Sequence, residues 1–361
     1  MESVRRDTRI IKDDIDMIPF CKTTLGEEEK KAVADCIDSG WVVLGPKSKE
    51  FEEKFAEYVG ADYAVFVDSG TSALFLALQA IKTFILPNMQ GDPNIYKPVF
   101  RVPSLTFAAT AEVLVHAGYA PMFGEIGEDL CLKNVDAYSL PVDLLGNKAK
   151  SGALIYDSAH RIERNDIKGS NAFHCYSFYA TKNMTTVQGG MIAVNSKEVY
   201  DWLVKARDHG LDLGTKERYQ GKYKQYEVEF VGWRLKGDDL RAVVGLEQLK
   251  KLPYATERRN EIVALYNKRL GLSNKGNHVY PVFVKDREQF CGLMFDSGIQ
   301  TTIHFRPLHL MKAYKDIPHE ESLVHTERVG ETIVSIPLYP SLSNDEVNFI
   351  SDTIITSNLM I

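Results

Sequence analysis

Three short stretches hold residue types that could do chemistry together. The run Asp68-Ser69-Gly70-Thr71-Ser72-Ala73 places a glycine and hydroxyls before an apolar, helix-forming segment. Glycine lets the backbone approach closely, hydroxyls donate, and a helix N-terminus directs free N–H groups and positive dipole at one point, so the turn could cradle a phosphate. It reads equally as a plain N-cap, and it lacks the Gly-x-x-x-x-Gly-Lys and Gly-x-Gly-x-x-Gly fingerprints of nucleotide sites. Asp157 ends an apolar strand ahead of Ser158-Ala159-His160. A carboxylate there needs a cationic or strongly donating partner, such as a protonated ring nitrogen, a helix cap or Arg161. Lys182 ends the aromatic run Tyr176-Ser177-Phe178-Tyr179 and precedes a turn of Thr185, Thr186, Gln188, Gly189 and Gly190. Enclosure lowers an amine's proton affinity and makes it a nucleophile suited to Schiff-base formation, whereas a solvated lysine would do nothing of the kind.

Phosphate cradle, acidic strand end and lysine, in that chain order, are what pyridoxal phosphate requires. Its phosphate takes the helix N-terminus, its ring nitrogen the carboxylate and its aldehyde the lysine.

The elements that must position these groups are legible in the apolar periodicity. A surface helix is expected over 26–39 and a second over 49–58, ending at Gly60. A strand over 63–67 leads through the 69–72 turn to a helix over 73–81. The alternation continues with strand 100–103, helix 108–117, strand 120–123 and strand 154–156, which predicts an α/β domain with a mostly parallel sheet and ligands at its carboxyl ends. From residue 246 the pattern changes to a long charged helix over 247–270 broken near Pro253, strand 278–284 and helix 287–297. This predicts an N-terminal arm over 1–17, a large domain over 18–245 and a smaller C-terminal α+β domain over 246–361.

Length and composition fit that division. The chain has 361 residues, 44% hydrophobic and 25% charged, the balance of a folded globular protein rather than a disordered one. A net charge of −6 repels nucleic acid. The 5 cysteines include no Cys-x-x-Cys pair, which points away from a disulfide framework or a metal site and toward a reducing, cytoplasmic setting. No apolar run approaches the roughly 18–20 residues of a membrane span.

The chain resembles the DegT/StrS-type sugar aminotransferases of fold type I from about Ile18 to Ile355. The matching stretches include Ser39-Gly40-Trp41, Gly45-Pro46, Ser69-Gly70-Thr71, Pro103-Ser104 with Thr106-Phe107, and Asp157-Ser158-Ala159-His160. The most specific is Ser177-Phe178-Tyr179-Ala180-Thr181-Lys182-Asn183, continuing to Gly189-Gly190-Met191. Gly232-Trp233, His304-Phe305, Pro307-Leu308-His309 and Pro337-Leu338-Tyr339-Pro340 match further on.

The resemblance implies a cytoplasmic homodimer that uses pyridoxal 5′-phosphate to move an amino group from glutamate, or glutamine, to a keto sugar of a nucleotide-sugar in amino-sugar biosynthesis. Lys182 would bond the cofactor aldehyde and shuttle the proton between Cα and C4′. Asp157 would hold the ring nitrogen protonated and Phe107 would stack on the ring, although as a bare residue Phe107 reads as a core aromatic. Gly70, Thr71, Ser72 and Ser177 would bind the phosphate, and His160 would stand beside the ring. His304 and His309 are placed toward the acceptor, and Arg234 or Lys236 toward the neighbouring subunit's phosphate. The run Thr185 to Gly190 looks more like members that aminate C4 of the hexose than C3.

Four positions depart from the family pattern. The segment between Phe123 and Asp157 is shorter, Gln188 stands where many members have Glu, Arg234-Leu235-Lys236-Gly237 replaces an aromatic and Asn pattern, and Ser158 replaces a frequent Ala. Alternatives are a cyclitol or small-ketone aminotransferase and a non-catalytic regulator on the same fold; Lys182 argues against a sugar dehydratase, in which histidine takes its place.

Overall fold

The computed structural model describes residues 17–86, 97–214 and 225–361. Apart from Met17, the expected N-terminal arm lies outside them. Helices α1 (Glu27–Asp38) and α2 (Pro46–Val59) lead to strand β1 (Tyr63–Val67) and helix α3 (Gly70–Phe84). Residues 70–72, expected as a turn, already form the first turn of α3, because the Ser69 side chain accepts from Ser72 N and caps the helix three residues earlier than expected. Then follow β2 (Val99–Pro103), α4 (Ala108–His116), β3 (Ala120–Gly124), β4 (Ile155–Asp157), β5 (Phe173–Ser177), β6 (Gly190–Val194) and α5 (Lys197–Ala206).

The sheet order is β1-β6-β5-β4, with β2 and β3 paired beside it. Strand β6 runs antiparallel to both β1 and β5, while β4 and β5 are parallel, as are β2 and β3. The mostly parallel sheet therefore contains one reversed strand, β6. A reversed strand needs no helical crossover, so the chain leaves β5 and returns through a compact loop at the carboxyl end, and that loop holds Lys182.

Between Gly124 and Ile155, the segment expected to be trimmed, the only described helix is a single 3-10 turn over Leu144–Gly146. Residues 138–143 instead run extended between β2 and β4, joining them by Arg101 N to Tyr138 O (2.8 Å), Leu140 N to Arg101 O (2.8 Å) and Asp157 N to Pro141 O (3.0 Å). This strip makes the two groups of strands one continuous sheet and braces the end of β4.

Helix α6 (Asp239–Leu270) runs unbroken through both residue 245 and Pro253, contrary to the break expected near the proline. A proline inside a helix removes one hydrogen bond and costs about 3 kcal/mol, which burial along the rest of α6 outweighs. Ala242, Leu246, Leu249 and Leu252 join the core under β6, and Ile262, Val263 and Tyr266 join a second core. That second core is completed by β7 (Tyr280–Phe283), α7 (Arg287–Asp296), β8 (Ile333–Ile336) and α9 (Asn344–Ser357), with α8 (Val324–Thr332) leading into β8. The division expected near residue 245 thus falls inside a helix shared by both cores.

One buried ion pair ties α2 to the sheet. Arg207, just after α5, pairs with Glu52 and donates to Phe66 O at 2.7 Å, while Glu52 accepts from Phe66 N at 2.8 Å. Removing one partner strands a buried charge, so Arg207→Met should cost about 3–5 kcal/mol in urea unfolding. A loss below about 1 kcal/mol would show that the pair is hydrated.

Candidate active site

The carboxyl ends of β4 and β5, the N-terminus of α3 and the loop into β6 enclose a cavity of about 480 Å³. It is lined by Gly70, Thr71, Phe107, Asp157, His160, Ser177, Lys182 and His304 among the expected residues. At one end, the Ser69 cap consumes the Ser72 N–H (3.1 Å) and the Ser72 hydroxyl lies against Ser69 Oγ (2.9 Å). Ser72 accordingly does not line the cavity, and the first N–H groups of α3, those of Gly70 and Thr71, are left for an anion. Gly70 is required here because a Cβ would stand 2.8 Å from Ser177 Cβ, and this close approach brings the Ser177 hydroxyl beside the helix N-terminus. A Cβ on Gly190 would likewise lie 2.3 Å from Ser69 O.

At the floor, Asp157 is 6% exposed. Its Oδ2 accepts from Thr110 Oγ1 (2.9 Å), which is bonded to Thr106 Oγ1 (3.0 Å), and its Oδ1 accepts from Ala159 N (3.1 Å). Arg161 turns away to Asp166, so Asp157 makes no ion pair within 4 Å among the described residues. Burial pushes its carboxyl above the usual carboxylate range, against the Thr110 and Ala159 hydrogen bonds and the Lys182 charge.

Lys182 makes no hydrogen bond or ion pair through its amine among the described residues. Burial pushes that amine down to about 8, against the pull of Asp157 and Cys21. Its folded value thus lies below its unfolded one, so folding expels a proton between about pH 8 and 10.5. Stability is penalised in full below pH 8 and the penalty lifts as pH rises through that window. Lys182→Met should therefore stabilise the cofactor-free protein by about 1–3 kcal/mol at pH 7 and by little at pH 10.5. Denaturant unfolding at the two pH values checks this; equal effects at both would contradict it.

Around this floor stand neutral imidazoles. His160 Nδ1 accepts from Leu145 N (3.3 Å), and its ring stacks on His278 with centroids 4.3 Å apart. Burial holds both well below the ordinary histidine value and His304 at about 4, with Lys182 adding to it in all three. Among the described residues no group of His, Cys, Asp or Glu is arranged to hold a metal ion. Phe107, read from sequence as a core aromatic, is 62% exposed at the cavity mouth, fixed there as the N-cap residue of α4. In the same loop as Lys182, Val187 has a φ of 69°, strained for a β-branched residue and held by Val187 N to Thr185 Oγ1 (2.8 Å).

Besides Ser72, three expected residues lie elsewhere. His309 does not line the cavity; its Nδ1 contacts Ser104 Oγ (2.6 Å) and its Nε2 Glu327 (3.2 Å), pinning the loop that leads to Phe107. Lys236 pairs with Asp208 (2.8 Å), and Arg234 is exposed. Conversely, sequence reading missed Thr110, Tyr179 and His278, which line the cavity. Tyr179 belongs to the Lys182 motif itself and was passed over as part of an aromatic run, whereas nothing in the local sequence marks Thr110 or His278, which the packing of other elements brings in.

This arrangement defines a pyridoxal-phosphate enzyme of fold type I. The DegT/DnrJ/EryC1/StrS aminotransferase family model matches residues 23–139 and 148–355, and the chain belongs to that family. It is a pyridoxal-phosphate-dependent sugar aminotransferase. It is 31% identical to the spore coat polysaccharide biosynthesis protein SpsC of Bacillus subtilis, over 93% of this chain and 96% of that one. The putative sugar aminotransferase Spr1654 of Streptococcus pneumoniae, in its PMP form, superposes with a TM-score of 0.79 at 25% identity, covering 94% of this chain and 98% of that one. PseC of Helicobacter pylori, an aminotransferase of pseudoaminic acid biosynthesis, shares the fold with a TM-score of 0.80 at 21% identity, over 94% and 98%.

Proposed function

We propose that the protein transfers the amino group of glutamate to the carbonyl of a nucleotide-linked keto sugar, at C4 of the hexose, as a cytoplasmic homodimer. The observation that carries this reading is the unpaired Lys182 amine facing the same cavity as a buried Asp157 without a cation. Lys182 lacks a partner for its amine and Asp157, hydrogen-bonded to Thr110 and Ala159, lacks an ion-pair partner among the described residues, which a bound aldehyde and a protonated ring nitrogen would supply. When bound, pyridoxal phosphate supplies the carbonyl that captures the donor amine and the ring that accepts electrons from its Cα.

The chain's own residues do the rest. Gly70 and Thr71 N–H groups and the Ser177 hydroxyl would hold the phosphate, Phe107 would pack against the ring, and Asp157 would keep a proton on the ring nitrogen. At pH 7 the lowered proton affinity of Lys182 gives about 300-fold more free amine than an ordinary lysine, enough to act as nucleophile and then to take up the donor's α-proton. His304 and His278 present neutral imidazoles to the acceptor, suited to sugar hydroxyls rather than to a second charge.

The homodimer is supported by the exposed apolar residues Phe107, Tyr179 and Val187 around the cavity. It is supported too by the cavity lining, in which, among the described residues, no arginine and no lysine besides Lys182 stands to meet a dianionic phosphate. Arg234 of a second copy would supply that charge, since Lys236 is engaged with Asp208. Arg234→Ala should weaken pyridoxal phosphate binding about 10-fold with little change in melting temperature, measured by fluorescence titration; unchanged binding would remove Arg234 from the site. The acceptor is tested by a panel of nucleotide-linked 4-keto and 3-keto hexoses beside free cyclitol ketones, with glutamate as donor. Amination of a 4-keto nucleotide-sugar is expected. Turnover of the free ketones alone would make the protein a cyclitol-type aminotransferase, and no turnover with any acceptor or donor would leave a regulator.

A further inference from the structure

The peptide that follows the reactive lysine is held from two sides by buried groups. Asn183 O accepts from Arg259 Nη1 at 3.2 Å, and Asn183 Oδ1 contacts His278 Nδ1 at 2.7 Å. Asn183, Arg259 and His278 are all buried, at 5%, 4% and 5% exposure. Within the loop itself, Lys182 N donates to Tyr179 O at 3.0 Å. Arg259 stands on α6 and His278 just before β7, so the second core reaches across to grip the Lys182 turn.

Arg259 is the unusual member. A buried guanidinium is normally paired with a carboxylate, yet among the described residues Arg259 makes no ion pair, and its Nε has no hydrogen-bond partner. Burial lowers it to about 10. The bond the structure gives it goes to the carbonyl directly after the lysine. Keeping in such a place a cation with no carboxylate partner among the described residues is expensive for folding.

The second bond fixes a proton. Because Asn183 Oδ1 can only accept, His278 Nδ1 must carry the hydrogen, and in the neutral imidazole Nε2 is then an acceptor. His278 lines the cavity with Lys182 and stacks on His160. The amide next to the lysine thereby decides which His278 nitrogen can receive a hydrogen bond.

We infer that Arg259 and Asn183 are a positioning pair: Arg259 fixes the backbone of the Lys182 turn through the Asn183 carbonyl, and the Asn183 side chain holds His278 in the tautomer whose Nε2 accepts. This rests on the assignment of Lys182 as the residue that bonds the cofactor. It predicts that the reactive amine is aimed by the second core, so that a change on α6 is felt at the lysine without touching substrate.

The test uses full-length Asn183→Ala, Asn183→Asp, Arg259→Lys and Arg259→Met, each loaded with pyridoxal phosphate. Three readouts are needed: the pH titration of the Lys182-dependent visible band, the pH dependence of pyridoxal phosphate uptake by the apoprotein, and kcat and KM for glutamate. Asn183→Ala and Arg259→Met should keep the visible band, shift its midpoint by about 0.5–1 pH unit, and lower kcat about 10–100-fold with KM changed less than about 3-fold. Arg259→Lys, which still donates to the carbonyl, should recover most of kcat.

Asn183→Asp still accepts from Nδ1, but a carboxylate there favours the imidazolium, so activity should be recovered only above a midpoint displaced upward. Folded Asn183→Ala and Arg259→Met with unchanged band midpoint, uptake profile and kcat would overturn the inference. So would losses that follow the folded fraction alone and are not recovered by Arg259→Lys. If Arg259→Met fails to fold, the Asn183 pair and Arg259→Lys decide. A visible band that survives in Lys182→Ala would instead refute the lysine assignment, a separate failure.

Discussion

In the Lys182→Ala variant kcat should fall by at least about 10⁴-fold, and the visible band of the bound cofactor should vanish while the protein stays folded. Two separate roles are lost at once. The amine that captures the cofactor is gone, and so is the base that handles the donor's α-proton, itself typically worth about 10²–10⁴-fold. The melting temperature of the cofactor-free variant should not drop, because the deleted amine is buried without a partner and its proton is partly expelled by folding. Activity, absorption spectrum and calorimetry on one preparation separate these effects. Borohydride treatment of the loaded wild type should fix the cofactor on the peptide containing Lys182, whereas fixation on another lysine would reassign the site.

Asp157→Asn should lower kcat by about 10²–10³-fold, the scale of removing one preorganised electrostatic group, while cofactor is still bound. An amide cannot hold a proton on the ring nitrogen, so the ring loses much of its electron-withdrawing power although its place is kept. The stability effect has the opposite sign. The carboxyl is raised in the folded state, so it binds more protons folded than unfolded. Its stabilisation is greatest below the unfolded value and fades as pH rises through the folded one. Substituting a neutral isostere should therefore leave the apoprotein as stable or more stable at pH 7. Retention of more than about a third of wild-type kcat would mean that the proton is held elsewhere.

Much of this was legible in the sequence, for identifiable reasons. Asp157, Gly70 and Ser177 sit at ends of short apolar strands or at a helix start, and Lys182 in the loop just after such a strand, where periodicity places them on one edge of the sheet. That Phe107 is exposed at the cavity mouth was not legible from its own neighbourhood, since nothing local separates an exposed aromatic from a core one. The positions that misled were those whose partners lie far along the chain. His309 is claimed by Ser104 and Glu327, Lys236 by Asp208, and Ser72 by the Ser69 cap. His278 and Arg259 were invisible for the same reason: each acts through Asn183, reached only when the second core packs on the first. The division expected near residue 245 falls inside a helix because composition changes there while the helix runs on. A proline reads as a break from sequence, but burial on either side of Pro253 overrides it.

The most direct test of the central claim is a half-reaction followed by absorption. Protein loaded with pyridoxal phosphate is mixed with glutamate and then, after removal of the donor, with a nucleotide-linked 4-keto hexose. Glutamate should bleach the visible band with release of 2-oxoglutarate, one per site, and the keto sugar should restore the band as the amino sugar forms. A band that no amino donor bleaches, or one that bleaches but is restored by no keto sugar, would contradict the claim.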